Sequence, residues 1–276
     1  PDPMGNRPPD HHTGNHAAAQ FYTPRPFGLT MDEMNAWLYK GGGLALWREL
    51  YEPFNLVPFP CGSTDVQMGG WFNKEINSID DLKGLKMRIP GLGGEVLRRA
   101  GGTPVSLPGS EIFTSLQTGV IDATEWVGPY NDVSFGLHKA AKYYYYPGWH
   151  EPGTALEYFF NKKAYESLPK DLQHLLDVCC MENEHWVLSQ FDARNGAALQ
   201  TLINKHKVPI IQFPDQVLAA LRKMAVDVVE GEAAKSPMAK KVNESFKKFQ
   251  KQAGTWATIS EQSYYNIIQP KYSLTG

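Results

Sequence analysis

Between Ser78 and Glu125, short apolar runs alternate with short helical patterns, and this alternation restricts the chain to few folds. Ser78-Ile-Asp-Asp81 reads as a cap and Leu85-Lys-Met-Arg-Ile89 as a strand. A Pro90-Gly91 turn follows, then a helix from about Gly93 to Ala100. Val105 falls in a second strand, Ser110 caps a helix through Gln117, and Ile121 leads into a third strand that carries Glu125. Strand–helix–strand repeats of this kind predict βαβ units and a mostly parallel sheet. Ligands of such sheets sit beyond the carboxyl ends of the strands, which is where Arg88 falls. A guanidinium there presents two parallel donors to the two oxygens of a carboxylate.

The flanks are more helical. Thr30 and Glu33 make a capping box for a helix running towards Tyr39, which Gly41-Gly-Gly43 ends, and a second helix covers Ala45 to Tyr51. Leu56 to Phe72 is strand-like, interrupted by Pro58, Pro60 and Gly62. After Pro169, Leu172, Leu175, Leu176, Cys179 and Trp186 mark one face of a helix reaching the region of Leu202. A strand from Val208 to Phe213 breaks it, and an amphipathic helix carrying Val217, Leu221, Met224 and Val228 follows. The last helix starts near Met238. Its seam of Val242, Phe246, Phe249, Ala253 and Trp256 suits either its own core or a partner helix.

At 276 residues the chain has room for two small lobes. A net charge of −2 with no basic face or tail argues against a nucleic-acid partner. No apolar run approaches the ~18 residues that span a bilayer. Cys61, Cys179 and Cys180 make no disulfide framework and read as small apolar residues. The opening Pro1 to Gly14, rich in Pro, Gly and polar residues, is expected to be disordered and has no secretory apolar region; His11, His12 and His16 read as solvated. Gly91-Leu-Gly-Gly-Glu-Val96 imitates a dinucleotide fingerprint, but Val96 stands in place of the third glycine. It reads instead as a tight turn that brings a helix N-terminus near an anion. His150-Glu151 lacks the second histidine of a helical zinc motif, and there is no P-loop and no nucleophile elbow.

Gln67, Glu125 and Glu151 are each flanked by apolar or aromatic residues, where an unpaired carboxylate is costly to bury. Two carboxylates and an amide oxygen are hard ligands that suit Ca2+ or Na+ rather than zinc. Their separations fit no local metal motif, so ordinary salt bridges account for them equally well on spacing alone. Trp126, Tyr130, Trp149 and the run Tyr143 to Tyr146 can line a pocket for a small organic acid, although buried strand positions are the commoner explanation of the tyrosine run. Asn131 is a candidate donor to a ligand oxo or hydroxyl oxygen.

The chain resembles the substrate-binding proteins of TRAP (tripartite ATP-independent periplasmic) transporters, in the DctP-like branch that takes 2-oxo acids and related carboxylates. The resemblance rests on Ala19-Gln-Phe-Tyr-Thr23, Val66-Gln-Met-Gly-Gly-Trp-Phe72, Asp81-Leu-Lys-Gly-Leu-Lys-Met-Arg-Ile-Pro90, Gly119-Val-Ile-Asp-Ala-Thr-Glu-Trp126 and Gly148-Trp-His-Glu-Pro152, in order over most of the chain. It implies an α/β fold of the type II periplasmic-binding-protein kind, with two lobes, mostly parallel sheets and long C-terminal helices. The expected division is a non-family tail over 1–18, lobe I over 19–65 and 125–155, lobe II over 66–124 and 156–235, and a helical extension over 236–276. Family members carry a further βαβ portion ahead of Ala19, so lobe I is expected to be incomplete, with an unpaired sheet edge. The resemblance further implies that Arg88 holds the ligand carboxylate, with Asn131, Trp126 and Gln67 beside it. Gln67, Glu125, the Trp126 carbonyl and Glu151 are implied to hold the bridging Ca2+ or Na+. Delivery to membrane permease subunits, a periplasmic location and a homodimer through the C-terminal helix complete the expectation. The alternatives are a metal-assisted enzyme with Glu125 or Glu151 as base, and a remnant that binds nothing.

Overall fold

The computed structural model describes residues 4–7, 17–268 and 274. Its strands are β1 (Met4–Arg7), β2 (Leu56–Ser63), β3 (Gly70–Phe72), β4 (Lys86–Arg88), β5 (Thr103–Val105), β6 (Ala123–Thr124), β7 (Tyr143–Tyr146), β8 (Ala155–Asn161) and β9 (Ile210–Gln212). They form two sheets, ordered β1-β8-β2 and β5-β4-β6-β3-β7-β9, and the chain crosses between them after β2, after β7 and after β8. The βαβ reading from Leu85 to Glu125 holds: β4 lies parallel to both β5 and β6. Around β3 the larger sheet turns antiparallel, and the smaller sheet is antiparallel throughout.

Two features differ from expectation. Within the tail expected to be disordered, Met4–Arg7 pairs antiparallel with β8 as an edge strand of the smaller sheet; the rest of that tail, His11, His12 and His16 included, lies outside the described residues. Strand pairing also puts β7 and β8 in different sheets. β7, expected in lobe I, lies between β3 and β9, because the buried Tyr144 and Tyr145 need backbone partners on both sides. β8, expected mostly in lobe II, is the central strand of the smaller sheet.

The helices are α1 (Met31–Tyr39), α2 (Gly43–Tyr51), α3 (Gly91–Arg99), α4 (Gly109–Gln117), α5 (Pro129–Phe135), α6 (Lys162–Glu166), α7 (Lys170–Asn204), α8 (Asp215–Ala233) and α9 (Pro237–Ile259). At the start of α1 the Thr30 N–H donates to Glu33 Oε2 at 3.0 Å, as the capping box requires. Behind α1 and α2, the rings of Trp37, Tyr22 and Trp47 stack at 5.4 and 4.8 Å, and Phe246 of α9 meets Trp37 edge-on at 5.1 Å. Val242 and Phe246 are therefore core, so the first half of α9 is no extension: burying two such side chains contributes about 1.5–3 kcal/mol each. Beyond them Trp256 and Ile259 stand exposed.

The phase of α7 also differs from the reading. Leu172, Leu175, Cys179 and Trp186 share a face, but that face is exposed, while Gln173, Cys180, Glu184 and Phe191 point inward. Polar groups on the inner face are partnered: Gln173 Nε2 donates to Leu168 O at 2.9 Å and Glu184 accepts from Tyr39 Oη at 3.1 Å.

Candidate ligand and cation site

Backbone hydrogen bonds gather four distant segments around one point. Arg88 ends β4, Glu125 follows the neighbouring β6, and the Glu125 N–H donates to Arg88 O at 3.1 Å. From the other side, the segment after β2 zips to the link between β7 and β8: Gln67 N–H donates to Glu151 O at 3.1 Å, and Gly148 N–H to Gln67 O at 2.9 Å. Met68 N–H reaches Val127 O at 3.0 Å and closes the ring. Gly148 is required by this approach, since a Cβ there would stand 2.2 Å from Gln67 O.

These segments wall a cavity of about 990 Å3, and Gln67, Arg88, Glu125, Trp126, Glu151 and Thr154 are all on its lining. Arg88 pairs with Glu125, which is only 1% exposed, donates from Nε to Leu107 O at 3.4 Å, and lies over the Trp126 ring at 5.4 Å. Trp126 in turn occupies the space a Cβ on Gly109 would take, 2.7 Å from its ring edge. His150 backs the wall with Nε2 3.8 Å from Glu125 Oε2. Burial, opposed by Glu151 and helped by Arg88, pushes its pKa down and favours the neutral imidazole.

The donor set fits a hard cation. Glu125, His150 and Glu151 bring ligand atoms within 4.8 Å of one another. Gln67 spends its amide N–H groups on Thr64 Oγ1 at 2.9 Å and Thr154 Oγ1 at 3.4 Å, and Thr154 Oγ1 donates to Glu151 Oε2 at 3.2 Å. That fixes the Gln67 amide so that its Oε1 is buried with no hydrogen-bond partner. A buried acceptor without a donor, beside two carboxylates, matches what Ca2+ or Na+ needs.

Of the residues the sequence singled out, Gln67, Arg88, Glu125, Trp126 and Glu151 come together. Asn131 does not: α5 starts at Pro129, and its phase turns the neighbouring Asp132 inward and leaves Asn131 off the cavity lining. Tyr144 and Tyr145 are core residues of β7, with Tyr144 stacked on Trp71 at 4.0 Å, and Trp149 packs on Phe27 at 5.9 Å. Sequence reasoning missed Thr64, Thr154 and Asp132. Asp132 accepts from Trp71 Nε1 at 2.8 Å, Tyr144 Oη at 2.7 Å and Val127 N–H at 3.2 Å, and so fixes the turn that carries Glu125 and Trp126. Its place beside a helix-opening Gly128-Pro129 was the one sequence signal it offered.

Residues 15–236 match the family model described as bacterial extracellular solute-binding protein, family 7 (DctP). A monocarboxylate 2-oxoacid-binding periplasmic protein of Nostoc sp. is 46% identical over 257 residues, which cover 93% of this chain and 70% of that relative. The crystal structure of a TRAP periplasmic solute binding protein from Pseudoalteromonas atlantica, with bound sodium and pyruvate, superposes with a TM-score of 0.92 at 42% identity, covering 97% of this chain and 81% of the other. A TRAP transporter solute binding protein from Bordetella bronchiseptica, a mixed occupancy dimer with calcium and picolinate, gives 0.92 at 39% identity, covering 95% and 78%.

Proposed function

The chain belongs to the bacterial extracellular solute-binding proteins of family 7, the DctP family, and we propose that it captures a 2-oxo acid together with a cation for a TRAP transporter. Proteins of this family are periplasmic and carry solutes, and the activity proposed for this chain is reversible binding without turnover. The observation that carries the proposal is the buried Arg88–Glu125 pair on the cavity wall. Each partner neutralises the other, and each is the natural receptor for one half of a carboxylate salt. The ligand carboxylate takes Arg88; Gln67 Oε1, Glu125, Glu151 and the Trp126 carbonyl hold the cation. When bound, the cation supplies positive charge that offsets the two carboxylates and attracts the oxygens of the acid.

The ligands of the relatives support a 1,2-arrangement of donor atoms. Pyruvate offers a keto oxygen next to its carboxylate, and picolinate offers a ring nitrogen in the same relation. Each molecule can offer two adjacent donors to a cation, so 2-oxo and 2-hydroxy acids are the proposed class. Arg88 stays oriented by Leu107 O and Trp126, and its grip strengthens once water leaves the cavity. The two sheets are proposed to belong to two lobes that close over the acid.

Calorimetric titration with pyruvate in Ca2+-containing buffer tests the reading. Saturable heat that disappears in Arg88→Ala is expected; equal binding by wild type and Arg88→Ala would overturn it. The exposed apolar residues of α7 and of the end of α9, Trp186 and Trp256 among them, are proposed to meet a second copy of the chain, with support from the dimeric Bordetella relative. Sedimentation velocity of wild type against Trp256→Ser checks this, with a dimer expected only for wild type.

A further inference from the structure

Away from the cavity, β2 and α7 bring two thiols together. The register of β2 against β8 steps from Pro60↔Glu157 to Ser63↔Ala155, so Cys61 and Gly62 bulge out of the ladder. The bulge turns Cys61 towards α7, where Asn183 Nδ2 donates to Cys61 O at 2.9 Å and to its Sγ at 3.5 Å. Cys180, one helical turn before Glu184, packs against Cys61 and Phe59 in a small cluster of its own. Both thiols are buried in this cluster, and all three cysteines of the chain are free.

We propose that Cys61 and Cys180 are a dithiol site that closes to a reversible intrachain disulfide, stapling β2 to α7, when a low-molecular-weight disulfide serves as oxidant. The Cys61 thiolate attacks one sulfur of the external disulfide and expels one thiolate. Cys180 gives up its proton and attacks the Cys61 sulfur of the mixed disulfide, forming the Cys61–Cys180 bond and expelling the second thiolate. Two protein thiols thus lose two electrons and two protons, and the external disulfide becomes two thiols. Hydrogen bonds from Cys180 and Asn183 lower the Cys61 pKa, while the contact with Cys61 and burial push Cys180 up, which makes Cys61 the attacking sulfur. The chemistry matches the oxidising compartment in which this family works.

The staple has a structural consequence. β2 runs directly into Thr64 and Gln67 of the cavity wall, and α7 continues to Asn195, which accepts from the Tyr130 N–H of α5 at 3.1 Å. A bond between them closes a long loop and restricts the unfolded chain strongly.

The test oxidises native protein with excess oxidised glutathione, counts remaining thiols and maps disulfide-linked peptides by mass spectrometry. Wild type and Cys179→Ser are both expected to lose two thiols and yield one peptide pair linking Cys61 to Cys180. The thermal midpoint should rise by roughly 5–15 °C and return on reduction. Three outcomes would overturn the proposal: folded protein that keeps all three thiols, a Cys179–Cys180 linkage, or a covalent dimer through Cys179. The linkage is mapped on folded wild type, so a folding defect in the variant does not affect the result.

Discussion

Glu125 and Asp132 lie close in sequence and are equally buried, each 1% exposed, yet they are built for opposite purposes. Asp132 is enclosed by donors from Trp71, Tyr144 and Val127, with the Gly128 N–H beside them. Burial pushes its pKa up to about 6, against the pull of those hydrogen bonds. Glu125 faces a neutral imidazole, an arginine that also touches the cavity, and open space. A carboxylate whose lone pairs are all taken by fixed groups is framework. One whose main partner also faces the cavity is the proposed binding site.

The largest expected effect breaks the site half of that comparison. Arg88→Ala removes the proposed clamp on the acid and leaves Glu125 buried without its arginine, so pyruvate affinity should fall by about 2–5 kcal/mol in calorimetry. Glu125→Gln comes next: it should flatten the dependence of pyruvate affinity on Ca2+, read as equal dissociation constants with Ca2+ and with chelator. Asp132→Asn sharpens the other half. It replaces an acceptor facing several donors and should cost about 1–3 kcal/mol of folding stability in urea, while pyruvate affinity changes far less than in Arg88→Ala. An affinity loss equal to that of Arg88→Ala would erase the distinction.

The smallest effect concerns a third buried acid. Glu184 on α7 accepts from Tyr39 Oη, and burial pushes its pKa up to about 7. The folded protein therefore holds this proton where the unfolded chain has released it. The stabilisation is complete below the ordinary glutamate range and is lost as pH rises through about 7. Urea midpoints should fall between pH 5 and pH 8, and Glu184→Gln should reduce that slope. Some slope remains, because Asp132 and Asp65, both pushed up to about 6, have the same sign.

Arg88 was legible in the sequence because a rule about strand ends locates it, and the flanking βαβ pattern is local. The company it keeps was not. Gln67, Glu125 and Glu151 meet through backbone hydrogen bonds between segments far apart in the chain, and only resemblance to a family could group them in advance. Asn131 lies off the cavity lining because a helix starting at Pro129 sets the phase and turns Asp132, one residue on, into the core. On α7 the inner face carries Gln173, Cys180 and Glu184, so a rule that reads apolar residues as inward chose the wrong side. The pairing of β1 with β8 was hidden because its strand signal is four residues long and unpatterned.

The measurement that bears most directly on the divided ion pair is the reciprocity of cation and acid. Ca2+ is titrated into sodium-free protein with and without saturating pyruvate, and pyruvate with and without saturating Ca2+. If the Arg88–Glu125 pair is divided between the two ligands, each should tighten the other by the same factor, at least tenfold or about 1.4 kcal/mol. Pyruvate that binds Arg88 equally well in chelator and in Ca2+ would contradict it.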